Sequence, residues 1–287
     1  MRILFCTDGS KISFDALRNI SKWVNDAIID VICVIDWSFL PDEVSIEADG
    51  FSMSCANIAD SILEYAEKEI KFLNLKLGNR IKNCGSAVES ILEQAEKEKY
   101  DLILMGSHGK KGIQKWLGSV SQEVLNSSKI SDYISREANN RKRILFTIDG
   151  SKCSVGIIQK LLPMLNLENK EIYVCMVVED PNLLFLEGTL DTNWLLEIEK
   201  QQELYAAHAI KDIQKLLEDN NIMANETVIL RGIPAQKIID YSKTNEIDLI
   251  ILGAHNKSRL DKFLTESVSK RVLSNVKSDV MLVKCDD

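Results

Sequence analysis

The chain contains the same sequence pattern twice, and this repeat constrains the fold more than any other feature. The copies begin roughly 140 residues apart, a period too long for a solenoid, which indicates two domains of the same fold. The polar, basic stretch at 135–143 is the expected linker, so the predicted domains are 1–140 and 141–287. The matched pairs are RILFCTDGSKISFDAL (2–17) with RILFTIDGSKCSVGII (143–158), DVICVIDW (30–37) with EIYVCMVVED (171–180), and KYDLILMGSHG (99–109) with EIDLIILGAHN (246–256).

Within each copy, short apolar runs alternate with helical patterns. In the first copy ILFC ends at Asp8-Gly9, and Ser10 is the expected cap of a helix. Continuous apolar runs of this kind are typical of parallel strands buried on both faces. The sequence therefore predicts an α/β fold: two tandem doubly wound domains, each a mostly parallel five-stranded sheet with helices on both faces. The predicted apolar face of the first helix consists of Phe14, Leu17, Ile20 and Val24.

The remaining elements of the first copy are a helix around 54–75, a weaker strand near 77–84 and a last helix at 119–127. The final strand differs between the copies. SDVMLVK (278–284) is a convincing strand, whereas SDYISR (131–136) is shorter and more polar. We therefore expect a short or distorted edge strand in the first copy.

The charge balance limits the classes of partner. The formal net charge is −8 and the isoelectric point is about 5.2, which argues against binding to nucleic acid, because that needs a basic surface. An acidic globular chain suits a cytoplasmic protein with a small ligand or a protein partner. The first apolar run is too short for a signal sequence, and no apolar stretch reaches the length of a membrane span.

The cysteines follow no metal-binding or redox motif. None forms C-x-x-C, and their number is odd, so the sequence favours reduced thiols in a reducing compartment, mostly buried in strands. No spacing of histidines, cysteines or carboxylates matches a metal site. The seven cysteines are Cys6, Cys33, Cys55, Cys84, Cys153, Cys175 and Cys285.

A glycine-rich segment follows the strand LILM of the first copy. Four of the chain's 13 glycines fall within residues 106–118. Ligands of open parallel sheets bind beyond the carboxyl ends of the strands, and Gly118-Ser119 opens a helix whose free N–H groups attract an anion. Ser119 and Ser121 add hydroxyl donors. The segment therefore predicts a phosphate cradle, although it is neither a Walker loop nor G-x-G-x-x-G.

The chain resembles the universal stress proteins in their tandem form. The resemblance covers nearly the whole chain and rests on ILFCTDGS, VICVID and GSHG…GSVS. It implies an adenine-nucleotide-hydrolase-like fold and the binding of ATP or AMP, with Mg²⁺ beside a triphosphate. It also implies that the aspartate and valine hold adenine, while glycines and serines take ribose and phosphates. The residues so implied are Asp8, Val34, Gly106, Gly109, Gly118, Ser119 and Ser121.

Both copies depart from the family pattern G-x2-G-x9-G-[ST]. In the first copy only eight residues (110–117) separate the second and third glycines. The second copy keeps Asp149, Val177, Gly253 and Ser267, but Asn256 replaces the second glycine, and Glu266 or Thr265 replaces the third. A carboxylate at a helix start occupies the anion's place. We expect the second domain to bind no ATP, with Glu266 acting as counter-ion of its own helix.

The sequence predicts no catalytic or metal-ligating residues. It has no nucleophile elbow, no H-x-x-x-H and no base paired with Asp8, so slow ATP hydrolysis at most is expected. The leading hypothesis is an ATP- or AMP-binding stress or regulatory protein whose output is a conformation or a choice of protein partner. An ATP pyrophosphatase is disfavoured, because TDGSKIS lacks the glycine-rich loop such enzymes carry after the first strand.

A second hypothesis keeps the fold but not the ligand. The chain would be a scaffold whose two copies pair as a pseudo-dimer, with residues 38–53 and 181–198 as partner or lipid surfaces. The final strand of each copy is also a potential edge for pairing, so a homodimer stays open.

Overall fold

The fold was analysed in a computed structural model, whose described residues are 1–36, 48–108, 117–136, 142–179, 192–254 and 268–285. Contacts divide the chain into two compact units. The first holds residues 1–140 together with the short segments 164–166 and 279–281, and the second holds the remainder. The domain ranges 1–140 and 141–287 stay a prediction from the sequence.

The first unit alternates strand and helix through nearly all of its length. Its elements are β1 (Arg2–Thr7), α1 (Lys11–Ile20), β2 (Ile28–Ile35), α2 (Ala48–Phe72), β3 (Lys76–Cys84), α3 (Ala87–Lys97), β4 (Leu102–Gly106), α4 (Ser119–Ser127) and β5 (Ser131–Ser135).

The sheet of the first unit has the strand order β3-β2-β1-β4-β5, and its paired strands are parallel. The order reverses at β1, because β2 and β4 pair with its two sides. Helices α1 and α2 contact each other, as do α3 and α4. Right-handed connections that run in opposite directions from β1 place the two pairs on opposite faces of the sheet.

The strands of the first unit form its core, while β3 is an exposed edge. Ile3, Leu4 and Phe5 of β1 are fully buried, and every residue of β4 is buried. An apolar run is stable between two layers of helices, because both alternating faces of the strand are covered. In contrast, β3 has the sequence KLGNRIKNC and is largely exposed.

The second unit repeats this arrangement. Its elements are β6 (Arg143–Ile148), α5 (Lys152–Leu161), β7 (Glu171–Val178), α6 (Thr192–Asp219), β8 (Glu226–Arg231), α7 (Pro234–Thr244), β9 (Leu249–Ala254), α8 (Val268–Asn275) and β10 (Asp279–Lys284). The strand order is β10-β9-β6-β7-β8, and β6 pairs in parallel with both β7 and β9. The predicted α/β architecture of two doubly wound, mostly parallel halves is confirmed.

One predicted detail comes out differently in the structure, and a second, the short final strand of the first copy, is found. Helix α1 ends at Ile20, so Val24 is buried beyond the helix rather than on its face. Strand β5 has five residues against six in β10, and is short as expected, but it is not distorted, because all five residues pair in register with β4. Its backbone pairing does not depend on apolar side chains.

A buried carboxylate organises the amino-terminal edge of the first sheet. Asp30 of β2 is only 1% exposed and accepts hydrogen bonds from the N–H of Asn79, the hydroxyl of Tyr100 and the guanidinium of Arg2. Burial alone would raise the pKa of Asp30, but these bonds outweigh it and hold that pKa below its ordinary value. The buried charge is therefore fully paired.

Candidate functional site

The Asp8-Gly9-Ser10 turn joins β1 to α1. The Asp8 carboxylate accepts a hydrogen bond of 2.9 Å from the Ser10 N–H, and Gly9 adopts φ of 77°. The hydroxyl of Ser10 in turn accepts from the Ser13 N–H, so Ser10 caps α1 as the sequence predicts. A left-handed residue favours glycine at this position. The motif therefore has a complete local role before any ligand is considered.

The second unit builds the same turn with one difference. Asp149 accepts hydrogen bonds from both the N–H and the hydroxyl of Ser151, and Gly150 has the same φ of 77°. Asp149 is exposed, whereas Asp8 is half-buried. Only the first copy thus places this carboxylate in a partly enclosed position, where its charge is less screened by water.

The two valines of the predicted adenine site lie near the ends of equivalent strands. Val34 is the second-last residue of β2 and pairs with Asn83 of the neighbouring strand. Val177 holds the same place in β7, opposite Leu230. Both are half-buried. Because these strands are parallel to β1 and β6, each valine lies at the same sheet edge as the preceding aspartate.

Gly106 ends β4 and is required by helix packing. A Cβ atom added there would lie 2.8 Å from Cγ2 of Ile12 and 3.1 Å from the backbone nitrogen of Ser13. Residues of α1 therefore fill the space beside this glycine. Its absent side chain lets α1 approach β4, which is a role that glycine composition alone does not reveal.

Ser107 joins the two ends of the glycine-rich segment. Its N–H donates a hydrogen bond of 2.7 Å to the carbonyl of Ser135, and its own carbonyl accepts one of 2.7 Å from the Gly118 N–H. Its side chain is hydrogen-bonded to Nδ1 of His108 at 3.0 Å, in a direction set by the imidazole tautomer. The start of α4 is thereby fixed beside the end of β4.

The first turn of α4 presents backbone donors at the same edge. Gly118 is the N-cap residue with φ −62° and ψ 150°, and the first helical bond runs from the Gln122 N–H to its carbonyl. The N–H groups of residues 119–121 precede that bond and have no acceptor within the helix. Ser119 is exposed there, so its hydroxyl faces solvent.

Ser121 differs from Ser119 in where its hydroxyl is used. It is buried, and its hydroxyl donates a hydrogen bond of 2.9 Å to the carbonyl of Gly106. This bond ties α4 to the end of β4. In this arrangement Ser121 positions the backbone of the site rather than offering its proton to a ligand.

The structure brings most of the predicted residues to one sheet edge. Asp8, Val34, Gly106 and Gly118 lie at the carboxyl ends of β1, β2 and β4 or at the following helix. Gly109 lies outside the described residues, as do the residues of the second copy that were compared with the glycines and serine of the first: Asn256, Thr265, Glu266 and Ser267.

The site contains groups that the sequence did not single out. Thr7 and Ser13 share a hydrogen bond of 2.8 Å, and the Gly9 N–H donates to Thr7 Oγ1. Ser107 is buried directly after β4, next to His108, a histidine that the sequence favoured as bonding backbone or ligand rather than a metal. The sequence signal for Ser107 was its position directly after a buried strand, where polar residues are expected to serve either a ligand or the following segment itself.

The described part of the chain contains two clefts whose lining includes none of the predicted residues, although the first reaches Gly9, next to Asp8. One, of about 370 Å³, is lined by Gly9, Lys11, Phe14, Arg18, Ser61, Ile62 and Tyr65. The other, of about 350 Å³, runs along α6 and is lined by Trp194, Glu197, Ile198, Gln201, Gln202 and Tyr205. In the second unit the Tyr205 ring lies against Gly150, since a Cβ there would be 2.7 Å from its Cε1.

The cysteines depart from the expectation of reduced thiols. Cys6, Cys33 and Cys175 are buried, reduced thiols, as predicted, and burial raises the pKa of Cys175 to about 12. Cys84 is free but exposed. Cys153 and Cys285 instead form a disulfide, with Cα atoms 5.7 Å apart. They are 132 residues apart in sequence, so no local spacing could have indicated the pair.

The described residues suit an anion better than a protein-bound metal. Among them, no three histidine, cysteine or carboxylate side chains are grouped to hold a metal ion. A Cβ added at Gly118 would come 3.3 Å from Cα of His108, so a larger residue would narrow the approach to the N–H groups of α4. Within the same ranges, no helix is long and apolar enough to cross a membrane.

Comparison with known proteins identifies the family to which this chain belongs. The profile of the universal stress protein family matches residues 1–136 and 140–284. The chain therefore belongs to the universal stress protein family and carries two of its domains in tandem. It is 26% identical over 155 residues to a universal stress protein of Methanocaldococcus jannaschii, covering 54% of this chain and 89% of that protein.

Two further relatives match half of this chain and the whole of it, respectively. A second universal stress protein of Methanocaldococcus jannaschii is 25% identical over 155 residues, which cover 50% of this chain and 94% of that protein. The crystal structure of a universal stress protein from Archaeoglobus fulgidus superposes with a TM-score of 0.68 at 20% identity, over 100% of this chain and 97% of that one. This last likeness establishes the fold of the whole chain.

Proposed function

We propose that the first unit binds an adenine nucleotide, ATP or AMP, and that the chain acts as a stress or regulatory protein through this ligand. The observation that carries the proposal is the fixed start of α4, whose first-turn N–H groups have no acceptor within the helix and lie beside the end of β4, at the same sheet edge as Asp8. A helix start with a glycine cap is a site for phosphate oxygens.

Each proposed residue has a distinct task in this site. Asp8 and Val34 hold the adenine and ribose end, the carboxylate as a hydrogen-bond acceptor and the valine as an apolar contact. Gly118 and Ser119 receive the phosphates, together with Gly109 of the intervening segment. Gly106 and Ser121 act indirectly, since both hold the end of β4 against its neighbours.

The metal in this proposal comes with the ligand. Because the described residues contain no cluster of metal ligands, Mg²⁺ would be held chiefly by the phosphate oxygens of ATP, as is common for this ion. The site would then bind AMP without any metal. Mg²⁺ should therefore change the affinity for ATP but not the affinity for AMP, and titrations of both nucleotides with and without Mg²⁺ test this.

We propose that the second unit binds no ATP. Its aspartate is exposed, and the Tyr205 ring lies against the turn at Gly150. The glycine at the start of its last helix is replaced by Glu266 or Thr265. A carboxylate about 4 Å from a phosphate charge would oppose binding by on the order of 4 kcal/mol at an effective dielectric near 20.

The proposed output is a change of conformation or partner rather than a chemical product. A ligand drives such a change only when it binds two shapes with different affinity. The sequence offers no general-base motif or arginine finger to act with Asp8, so we expect slow hydrolysis of ATP at most. The nucleotide would therefore act as a signal and be released largely unhydrolysed.

Calorimetric titration of the full chain with ATP and AMP tests this function, with a matched pair of variants. We expect one site per chain, an affinity at least tenfold weaker in Asp8→Ala, and no change in Asp149→Ala. Equal effects of the two variants, or two sites per chain, would contradict the assignment to the first unit. Mass spectrometry of small molecules released by heat from the purified protein identifies the natural ligand.

A scaffold role is the second candidate, and one observation favours it. Trp194 and Leu196, within the segment 181–198 suggested as a partner surface, are 52% and 63% exposed. Apolar side chains exposed together mark interaction surfaces more often than monomer surfaces. Absence of released nucleotide, combined with no thermal shift in ATP or AMP, would favour this role over nucleotide binding.

A further inference from the structure

The disulfide of the second unit lies at the carboxyl edge of its own sheet. The equivalent edge of the first unit carries the predicted ligand site. Cys153 is in the first turn of α5, two residues after the Ser151 cap, and Cys285 follows the last residue of β10. A Cβ added at Gly253, the second-last residue of β9, would lie 3.9 Å from the Cys153 sulfur. The bond therefore closes the carboxyl edge of the second sheet.

The first unit has no equivalent of this bond among its described residues. In the repeated pattern Ile12 aligns with Cys153, and Ile12 packs beside Gly106. The two copies thus use the same position differently. An aliphatic side chain supports the glycine-rich segment in one copy, and a sulfur pair joins helix to strand in the other.

Access to Cys153 distinguishes it from its partner Cys285, which is 9% exposed, and from the buried cysteines elsewhere in the described residues. Cys153 is half-buried, whereas Cys33 and Cys175 are 0% and 1% exposed. Burial raises the pKa of the Cys175 thiol, so it stays protonated and unreactive at neutral pH. The positive end of the α5 dipole favours the thiolate form of Cys153, and a thiolate is the form of a cysteine that attacks a disulfide.

We propose that Cys153 and Cys285 form a reversible disulfide that responds to low-molecular-weight thiols and disulfides and stabilises the second unit. In the closing step, the Cys153 thiolate attacks a small disulfide RSSR, forms a mixed disulfide and releases one RS⁻. The Cys285 thiolate then attacks the Cys153 sulfur and releases the second RS⁻. The balance is two protein thiols and RSSR giving one protein disulfide and two RSH.

The structural effect of opening is confined to the end of the strand. The Cys285 N–H donates a hydrogen bond of 3.3 Å to the Ala254 carbonyl, so β10 stays tied to β9 after reduction. What is lost is the link from this edge to α5. Because the bond spans 132 residues of sequence, it restricts the unfolded chain strongly and raises stability when formed. This inference goes beyond the nucleotide proposal and does not depend on it.

The test uses the full chain, reduced with dithiothreitol and then equilibrated with oxidised glutathione. We expect peptide mapping to show the Cys153–Cys285 link, with the linked peptide pair about 2 Da lighter for two hydrogens lost, and dithiothreitol to reverse it under native conditions. The oxidised chain should melt on the order of 5–15 °C higher than the reduced chain.

Variants and a matched control make the result decisive. Cys153→Ser and Cys285→Ser should abolish the oxidation-dependent melting shift, and Cys84→Ser, at an exposed free cysteine, should retain it. Stable glutathione adducts on Cys153 or Cys285, or a link that resists dithiothreitol in the folded protein, would overturn the proposal. Peptide mapping of the wild-type chain decides the question even if one serine variant does not fold.

Discussion

The backbone N–H of Gly118 donates a hydrogen bond of 2.7 Å to the carbonyl of Ser107, so the ends of the glycine-rich segment are joined at its base. This bond uses the N–H of the cap residue and leaves those of the following three residues for a ligand. It also fixes the direction of α4 relative to β4. The proposed anion site is therefore prepared by backbone contacts rather than by charged side chains.

The first prediction concerns the cap of α4. Gly118→Asp places a carboxylate where its oxygen accepts from the N–H groups of the first turn, so it should preserve folding. The same carboxylate repels phosphate, and we expect ATP affinity to fall at least tenfold. Calorimetry measures the affinity, and thermal melting measures the fold.

Gly118→Ala is the matched control for this change. Its Cβ would lie 3.3 Å from Cα of His108, a close contact that a small local shift relieves, and the cap φ of −62° suits alanine. ATP affinity should change much less than in Gly118→Asp. Equal binding by both variants and the wild type would place the phosphate site elsewhere.

A second prediction separates the packing roles of two aligned glycines. Gly106→Ala meets Ile12 Cγ2 at 2.8 Å and backbone atoms of α1 at 3.1 Å, whereas Gly253→Ala meets only the Cδ1 end of Ile157 at 3.0 Å and the Cys153 sulfur at 3.9 Å. Overpacking against backbone should cost Gly106→Ala about 2 kcal/mol of unfolding free energy. Gly253→Ala should cost less than about 1 kcal/mol, because a flexible side-chain end can move. Urea unfolding of both variants checks the order, and a larger loss at Gly253 would contradict it.

The fold could be predicted from the sequence because its strands are continuous apolar runs. ILF in β1 and LIL in β4 are buried on both faces, so their composition reports a parallel sheet directly. Because the second copy repeats the sequence pattern of the first, the fold of the second unit could be predicted from that of the first. Helix ends were less predictable, since Val24 is buried by contacts beyond α1 rather than by helical periodicity.

The candidate site was only partly predictable for a different reason. Glycine spacing indicates where backbone approaches closely, but not what approaches it. At Gly106 the neighbour is Ile12 of α1, and at Ser121 the hydroxyl bonds the Gly106 carbonyl. The Cys153–Cys285 pair depends on two segments distant in sequence that meet only in the folded sheet. Contacts of this kind leave no periodic or local signal.

A third prediction tests the capping serines that the two copies share. Ser10→Ala and Ser151→Ala each remove the acceptor of an N–H in the first turn of α1 or α5. Each should lower the unfolding free energy by about 1 kcal/mol. Ser61→Ala, at an exposed serine within α2, is the control and should change it by less than about 0.5 kcal/mol. Indistinguishable losses at all three positions would contradict a capping role.

The buried Asp30 carboxylate gives a last prediction, on acid stability. Its pKa is lowered in the folded chain, with the bonds from Asn79, Tyr100 and Arg2 outweighing burial. The unfolded chain has an ordinary aspartate pKa of about 4. As the pH falls, the unfolded chain therefore takes up this proton at a higher pH than the folded chain does. The stabilisation from the charge is fully present above that ordinary value and is lost as the pH falls through the lower folded value.

Asp30→Asn removes this titration while nearly preserving the shape of the side chain. At pH 7 the variant should lose about 2 kcal/mol of unfolding free energy, since charged hydrogen-bond acceptors contribute about that much. The difference from the wild type should shrink as the pH is lowered from 5 to about 2. Urea unfolding at several pH values measures it, with Asp26→Asn, at an exposed aspartate, as the control. A difference that stays constant across that range would show that Asp30 stabilises the fold by shape alone, without its charge.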